Sequence, residues 1–179
     1  MKILAIDVGT GTQDIFLYDS RLDLENGFKL IMPSPTLIVN RRLREATRRK
    51  EAVLLSGVTM GGGPAAWAVE AHLKAGLSVY ATDEAARTLN DDLEVVKALG
   101  VQLVSPDEAR RLPDGIIRLR LADFDPIALR YALAPFGLTL HGLSAVAVAV
   151  FDHGAAPAGV SDRRFRFDYL DERIRAGNR

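Results

Sequence analysis

The chain begins with MKILAIDVGTGTQDIFLYD, residues Met1–Asp19. An apolar run ends at Asp7, a short turn rich in glycine and threonine follows, and a second apolar run begins after Asp14. Two apolar segments joined by such a turn predict a β-hairpin. Phe28–Met32 is a third short strand that follows turn-forming residues. The chain is therefore expected to open with a three-stranded antiparallel meander.

Beyond the meander the sequence alternates between apolar runs of strand length and helical patterns. The expected strands are Glu51–Ser56, Leu77–Ala81, Val101–Val104, Gly115–Leu119 and Ala145–Phe151, and the expected helices are Val39–Arg49, Pro64–Ala75, Asp83–Leu89, Asp92–Leu99, Pro106–Arg111 and Pro126–Ala134. Strands that alternate with helices predict a mainly parallel sheet with helices packed on it. The antiparallel start makes that sheet mixed. We expect an α/β fold with one compact domain over residues 1–160 and a loosely attached C-terminal extension over residues 161–179.

Composition excludes several classes of function. A chain of 179 residues with 48% hydrophobic and 26% charged residues suits a globular domain. Its 23 basic and 23 acidic residues balance, which argues against a dedicated nucleic-acid binder. It has no cysteine, so these residues cannot form a disulfide, a thiol nucleophile or an iron–sulfur ligand. No segment has the pattern of a signal peptide or the length of a membrane span, so a cytoplasmic protein with no membrane partner is expected.

The turn of the hairpin has the chemistry of a phosphate-binding loop. Its glycines let backbone N–H groups approach an anion closely, and its threonine hydroxyls add donors. Asp7 stands at the mouth of the hairpin, where it could hold a hydrated Mg²⁺ beside a phosphate. A tight turn that needs glycine only for its backbone is the alternative, but one glycine would suffice for that. The predicted binding residues of this loop are Gly9, Thr10, Gly11, Thr12 and Gln13.

A second glycine-rich segment, Gly57–Gly63, lies between an expected strand and an expected helix. Free N–H groups and the positive end of the helix dipole meet at such a junction, which is an anion-binding arrangement. The segment matches neither a Walker A loop nor a GxGxxG loop. Close packing of the helix on the sheet, or a mobile connection, would explain its glycines equally well. If it faces the hairpin, the candidate ligands are Thr59, Gly61, Gly62 and Gly63.

The pair Asp152-His153 follows the most apolar expected strand. Ligands of open α/β sheets bind beyond the carboxyl ends of strands, and an Asp–His pair could bind a metal or transfer a proton. Neighbouring side chains on an extended chain point in opposite directions, so a loop histidine bonded to the backbone is the alternative. We name Asp152 and His153, with Asp7, as the candidate catalytic residues.

Three other features are expected to be structural. Trp67 is predicted in the core, and His72 on the same helix is predicted to be a surface or packing residue. The segment Ser161–Phe167 alternates arginine with aromatic residues. Such a strip could hold nucleic acid by charge and stacking. With balanced charge over the whole chain, an edge strand with one buried face is the preferred interpretation.

The segment Asp7–Asp14 resembles the first phosphate loop of the actin, sugar kinase and heat-shock chaperone ATPase superfamily. The chain as a whole is similar to the N-terminal half of a prokaryotic family labelled pyruvate formate-lyase activating enzyme. The stretches that carry this second resemblance are, in order, AIDVGTGTQDIFLYD, MPSPT, GVTMGGGP, AHLKAG and FDHGAAPAGVSDRRFRF. Radical activating enzymes hold an iron–sulfur cluster with cysteines, so that activity is excluded for this cysteine-free chain.

The superfamily resemblance implies a single ribonuclease H-like (actin-like) lobe. It implies ATP or another nucleotide with Mg²⁺ as the ligand, with Asp7 near the metal and Gly9–Thr12 around the phosphates. Members close two lobes around ATP, and no second DxGxxT-like hairpin follows residue 19. At most a weak ATPase or phosphotransferase is therefore expected, completed by a second lobe or by a homo-oligomer. The alternative is a non-catalytic scaffold that keeps the fold and self-associates.

Overall fold

The computed structural model describes residues 1–150, 156, 157 and 159–177. Eight strands in this part of the chain form two four-stranded sheets. The first sheet contains β1 (Lys2–Val8), β2 (Thr12–Asp19), β3 (Phe28–Pro33) and β8 (Ala145–Val150), and the second contains β4 (Val53–Val58), β5 (Val79–Ala81), β6 (Gln102–Leu103) and β7 (Ile117–Ala122). The fold is therefore α/β, as the sequence predicts.

Seven α-helices connect or follow these strands within the described residues. They are α1 (Pro35–Arg49), α2 (Gly63–Lys74), α3 (Asp83–Arg87), α4 (Leu93–Ala98), α5 (Pro106–Arg111), α6 (Pro126–Leu133) and α7 (Asp162–Arg175). Every helix in this part of the chain is too short or too polar to span a lipid bilayer.

The first sheet has the spatial order β3-β2-β1-β8. Its first three strands are antiparallel, which confirms the predicted meander, whereas β8 runs parallel to β1. Side chains alternate across the sheet because successive residues of a strand point to opposite faces. On the inner face Leu4, Ile6 and Val8 are buried together with residues of α6, including Leu133. The opposite, outer face carries Asp7 and other exposed residues.

The second sheet has the order β6-β5-β4-β7 and is parallel throughout. Its core includes Val53 and Leu55 of β4 and the inner faces of α1 and α2. The buried residues of α1 include Val39, Leu43 and Ala46, which recur at helical spacing and so form one stripe. This second core is separate from the core of the first sheet.

The expectation of one mixed sheet is therefore wrong in one respect. The meander and the parallel strands form different sheets, and only β8 returns to the meander. Alternation of strand and helix predicts parallel pairing, but it does not specify which strands are neighbours. The pairing of the strands depends on which side chains pack together in each of the two apolar cores.

Two expectations about single elements are also wrong. Trp67 lies on α2 but is 69% exposed, because the buried stripe of that helix consists of Ala65, Ala68, Val69 and His72. The segment expected to be an edge strand begins α7. Ion pairs four residues apart, between Arg164 and Asp168 and between Asp171 and Arg175, support that helix because such residues are neighbours on its surface.

Candidate functional site

The hairpin between β1 and β2 closes through a single backbone contact across its turn. The N–H of Gly9 donates a hydrogen bond of 2.9 Å to the carbonyl of Thr12. A β-carbon on Gly9 would lie 3.1 Å from that same carbonyl oxygen, whereas a β-carbon on Gly11 would meet nothing within 4 Å. A side chain on Gly9 would therefore crowd the closure of the turn. Gly11 leaves the surface of the loop open.

Residues at the N-terminus of α1 form hydrogen bonds with the backbone of this loop. The hydroxyls of Ser34 and Thr36 both donate to the carbonyl of Thr10, at 2.6 Å and 3.2 Å. The N–H of Ser34 donates to the carbonyl of Gly11 at 3.1 Å. Both hydroxyl residues are buried. Because Ser34 also accepts from the N–H of Leu37 as the N-cap of α1, the loop is fixed to the first turn of that helix.

The second glycine segment lies against the hairpin loop. A β-carbon placed on Gly63, at the start of α2, would lie 3.6 Å from the hydroxyl oxygen of Thr36 and 3.9 Å from the methyl group of Thr10. The two helices are joined nearby, since the side-chain amide of Asn40 donates to the carbonyl of Pro64 at 2.6 Å. The N-termini of α1 and α2 therefore converge on one turn of the hairpin.

Asp123 fixes the other end of the same glycine segment. Its carboxylate accepts hydrogen bonds from the hydroxyl of Thr59 at 2.8 Å and from the N–H of Met60 at 2.6 Å. Asp123 directly follows β7 and Thr59 follows β4, and these two strands are parallel neighbours. Their carboxyl ends consequently meet at one edge of the sheet. The hydroxyl of Thr88 adds a longer contact, 3.4 Å, to the carbonyl of Thr59.

Asp7 and Asp14 are directly opposite each other in the register of β1 and β2. Both are exposed, on the outer face of the first sheet. The hydroxyl of Thr12 donates to the carboxylate of Asp14 at 3.2 Å. Gln13 points to the inner face, where it is buried and its amide donates to the carbonyl of Pro33 at 3.0 Å. Of the predicted loop residues, Gln13 thus makes a structural contact within the sheet.

The outer face around the two carboxylates is an open groove of about 730 Å³. Asp7 and Asp14 contribute carboxylates to it, and Lys29 lies with its ammonium 5.6 Å from the centre of the Phe16 ring. The remaining lining is mostly apolar and includes Ala5, Phe16, Ile31, Ala147 and Ala149. The candidate metal ligand therefore borders an apolar groove.

Two of the candidate catalytic residues, Asp152 and His153, lie outside the described residues. Within the described ranges, no group of three or more His, Asp or Glu side chains is arranged to hold a metal ion. His72 is fully buried between α1 and α2, where its Nδ1 is 2.8 Å from the hydroxyl of Thr47. It is a packing residue, and His141 lies in an exposed turn.

Sequence reasoning gave no role to Ser34, Thr36 or Asp123. The first two belong to the stretch MPSPT, which combines a serine N-cap with a proline in the first turn of a helix. That pattern predicts a helix start at Pro35, four residues before the expected one. Asp123 was not recognised because the preceding strand was expected to end at Leu119, whereas β7 continues to Ala122.

Comparison with curated protein sequences finds no similar protein. Two solved structures from Aquifex aeolicus match part of the chain: the family member in a structural characterisation of the Ppx/GppA protein family, and a PPX-GPPA enzyme. The first is 16% identical over 60% of this chain and 36% of that one, and the second is 17% identical over 60% and 37%. The chain thus matches little more than a third of either length. Both TM-scores are 0.16, which is too low to show a common fold.

The model of one protein family matches residues 60–179, more than half of the chain. The match begins inside the second glycine segment and extends through α7, so it does not include the hairpin. The stretches AHLKAG and FDHGAAPAGVSDRRFRF fall within it, as the resemblance predicts. The chain belongs to the family described as "Putative pyruvate format-lyase activating enzyme (DUF1786)".

Proposed function

We propose that this chain is a nucleotide- or phosphate-binding lobe of the actin-like ATPase type, with the hairpin loop Gly9–Thr12 as its phosphate site. The observation that carries the proposal is the convergence of the two glycine segments, in which Gly63 lies beside Thr10 and Thr36. The first turn of α2 adds the positive end of a helix dipole to this place. The hairpin loop and the start of α2 are proposed to bind one anion between them.

The residues near the loop also fit a magnesium ion. Mg²⁺ in phosphate sites is held by one or two carboxylates, with phosphate oxygens and water completing its shell. Asp7 and Asp14, opposite each other on the outer face, supply the two carboxylates. When bound, the ion would neutralise charge on the phosphates. Asp7 is the proposed ligand, and Thr12 positions the carboxylate of Asp14 through its hydroxyl.

Turnover is proposed to need more than this chain. Phosphoryl transfer depends on groups that position the nucleotide and its nucleophile from several sides. The described residues supply one phosphate loop, and a second lobe or a second copy would supply the rest. We therefore propose at most a weak ATPase or phosphotransferase activity for the chain alone.

Thermal unfolding of the 179-residue chain tests the binding proposal. A ligand that binds only the folded state stabilises it by about 2.7 kcal/mol at a hundred times its dissociation constant. Mg-ATP is expected to raise the melting temperature, and Mg²⁺ alone is not. Asp7→Ala is expected to abolish the shift, whereas Asp23→Ala, an exposed carboxylate whose side chain caps no helix, is expected to keep it.

A second variant tests the loop without disturbing the fold. Gly11→Ala adds a methyl group where nothing lies within 4 Å, so unfolding without ligand should be unchanged. The methyl group stands on the open surface of the loop and should reduce the shift caused by Mg-ATP. The proposal is wrong if millimolar Mg-ATP gives no shift with the wild-type chain, or if Asp7→Ala keeps the full shift.

The non-catalytic scaffold is a second candidate, because β8 is an uncovered edge strand. All six of its residues are exposed. An exposed apolar strand of this kind is a surface for association. A wild-type chain that self-associates but shows no shift with any nucleotide would favour this function.

A further inference from the structure

The valine side chains of strand β8 form an apolar row that no other element of the described chain covers. In its register with β1, Val146, Val148 and Val150 lie beside Leu4, Ile6 and Val8 on the inner face of the first sheet. The residues of β1 are buried, yet the three valines are 54%, 47% and 44% exposed. The core therefore stops at β1 although the apolar pattern continues through β8.

The other three sheet edges carry the features that prevent strands from adding. The edge strand β3 contains Lys29 and Pro33, β6 is only two residues long, and β7 carries Arg118 and Arg120. Charged residues, proline and short length are the usual protection of an edge. The sequence of β8, AVAVAV, has none of these. Among the edges that the structure describes, β8 alone is open to strand addition.

The backbone orientation of β8 follows from its register with β1. The N–H of Ser20 donates to the carbonyl of Met1, and the N–H of Gly9 donates to the carbonyl of Thr12, so the odd-numbered residues of β1 bond to β2 and the even-numbered ones face β8. The alanines of β8 are the register partners of odd-numbered residues of β1, so in a parallel ladder they bond to the even-numbered residues on either side. The N–H and C=O groups of Val146 and Val148 therefore point to the open edge.

We propose that two copies of this chain pair through β8, antiparallel, around a two-fold axis that lies midway between their Ala147 residues. Such an axis, perpendicular to the sheet, keeps each face on its own side, so valine lies beside valine and alanine beside alanine. Ala147 would lie opposite the partner's Ala147, and Ala145 opposite the partner's Ala149. Val146 would lie opposite the partner's Val148, and these two residues direct both hydrogen-bonding groups at each other, as in the hydrogen-bonded pair of an antiparallel ladder. The alanine pairs are then the non-hydrogen-bonded pairs of the same ladder.

A second copy is the occupant because the pattern is symmetric about this axis. A closed dimer requires the same surface on both subunits to be complementary to itself. The segment Ala145–Ala149 reads the same in both directions, and it carries no charge that its copy would repel. The result is an eight-stranded sheet in which the valine rows of two copies meet. This inference concerns a different surface from the hairpin loop and does not depend on phosphate binding.

Sedimentation equilibrium of the full chain tests the pairing. At high micromolar concentration the wild type should have twice the mass of one 19.5 kDa chain. Ala147→Lys places two like charges directly opposite each other and should give a monomer. Ile127→Lys, at an exposed position on α6, should leave the dimer intact. Circular dichroism of both variants checks that they are folded. A monomeric wild type, or an Ala147→Lys variant that still dimerises, would overturn the proposal.

Cross-linking tests the register, and the absence of native cysteines makes it specific. Residues in a non-hydrogen-bonded antiparallel pair have their Cα atoms about 4.5 Å apart, within the range of about 4.4–6.8 Å for a disulfide. Ala147→Cys should therefore form a covalent dimer on mild oxidation, and Ile127→Cys should not. If Val148→Cys links more readily to itself than Ala147→Cys does, the axis lies between the two Val148 residues and the proposed register is wrong.

Discussion

The hydroxyl of Ser34 donates a 2.6 Å hydrogen bond to the backbone carbonyl of Thr10. This contact joins the cap of α1 to the turn of the first hairpin, since the same oxygen also accepts from the N–H of Leu37. One buried side chain thus starts a helix and fixes the loop proposed to bind phosphate. The position of the loop depends on the helix, although 24 residues separate the two in sequence.

Ser34→Ala should weaken both the fold and the proposed site. Loss of an N-cap costs about 1 kcal/mol in the free energy of unfolding, and here the loop also loses a hydrogen bond. We expect a lower urea midpoint and a smaller thermal shift with Mg-ATP. Ser105→Ala is the matched control because Ser105 caps α5 in a capping box and does not contact the hairpin. The role assigned to Ser34 is wrong if both variants bind the ligand equally well.

Asp123→Ala should loosen the second glycine segment. It removes the acceptor for the N–H of Met60 and for the hydroxyl of Thr59. A buried donor without a partner costs about 1–3 kcal/mol, so the free energy of unfolding should fall by that amount. Asp123→Asn keeps one acceptor oxygen and should recover part of the loss. If the two substitutions lower the free energy of unfolding equally, the acceptor oxygen of Asp123 does not stabilise this segment.

Gly57→Ala should be far more damaging than Gly11→Ala. Gly57 has φ +77°, and a β-carbon there would lie 2.3 Å from the carbonyl oxygen of Leu121 on the neighbouring strand. The backbone of β4 or β7 would have to move, in addition to about 1–2 kcal/mol for the left-handed conformation. Chemical denaturation of the two variants measures the difference. Similar stabilities would contradict the close approach of β4 to β7.

The stability of the chain should decrease as the pH falls through 6.5, because of His72. Burial between α1 and α2 lowers the pKa of this imidazole below its ordinary value of 6.5. The unfolded chain therefore takes up the proton first, and folding is opposed from about pH 6.5 down to the folded-state pKa. Below the folded-state pKa, the contribution of His72 to the free energy of unfolding no longer changes with pH. Above pH 6.5 the neutral imidazole carries no penalty.

Urea unfolding between pH 5 and 8 measures this dependence. His72→Gln removes the titrating group, so the slope of unfolding free energy against pH should be smaller in this variant than in the wild type. The comparison uses slopes because the substitution also changes packing beside Thr47. Equal slopes for the two chains would show that other groups cause the acid sensitivity.

Local patterns were sufficient to predict most elements. The meander of β1 to β3 follows from alternating apolar residues and short turns, and α5 has the predicted bounds, Pro106–Arg111, because proline and a capping box mark its start. Trp67 was misplaced because a large aromatic residue on a helix rich in alanine resembles a core residue. Helix α2 instead buries Ala65, Ala68, Val69 and His72.

The candidate site was predictable only in its parts. The glycines of both loops stand out in the sequence, but their meeting at Thr10 depends on how α1 packs beside α2. Asp123 could have been found only by placing the end of β7 correctly, since its importance comes from its position beside Thr59 across two parallel strands. Contacts between residues so far apart in sequence have no local signal.

The α/β class, the opening hairpin and the chemistry available in its turn can all be predicted from short segments, because they depend on side-chain alternation and on glycine. The division of the strands into two sheets, and the meeting of the helix starts at Ser34 and Gly62 beside the hairpin turn, are visible only in the folded chain. The exposure of the β8 valines is visible only there as well. Strand neighbours and helix packing depend on how whole cores assemble, and no single segment contains a whole core.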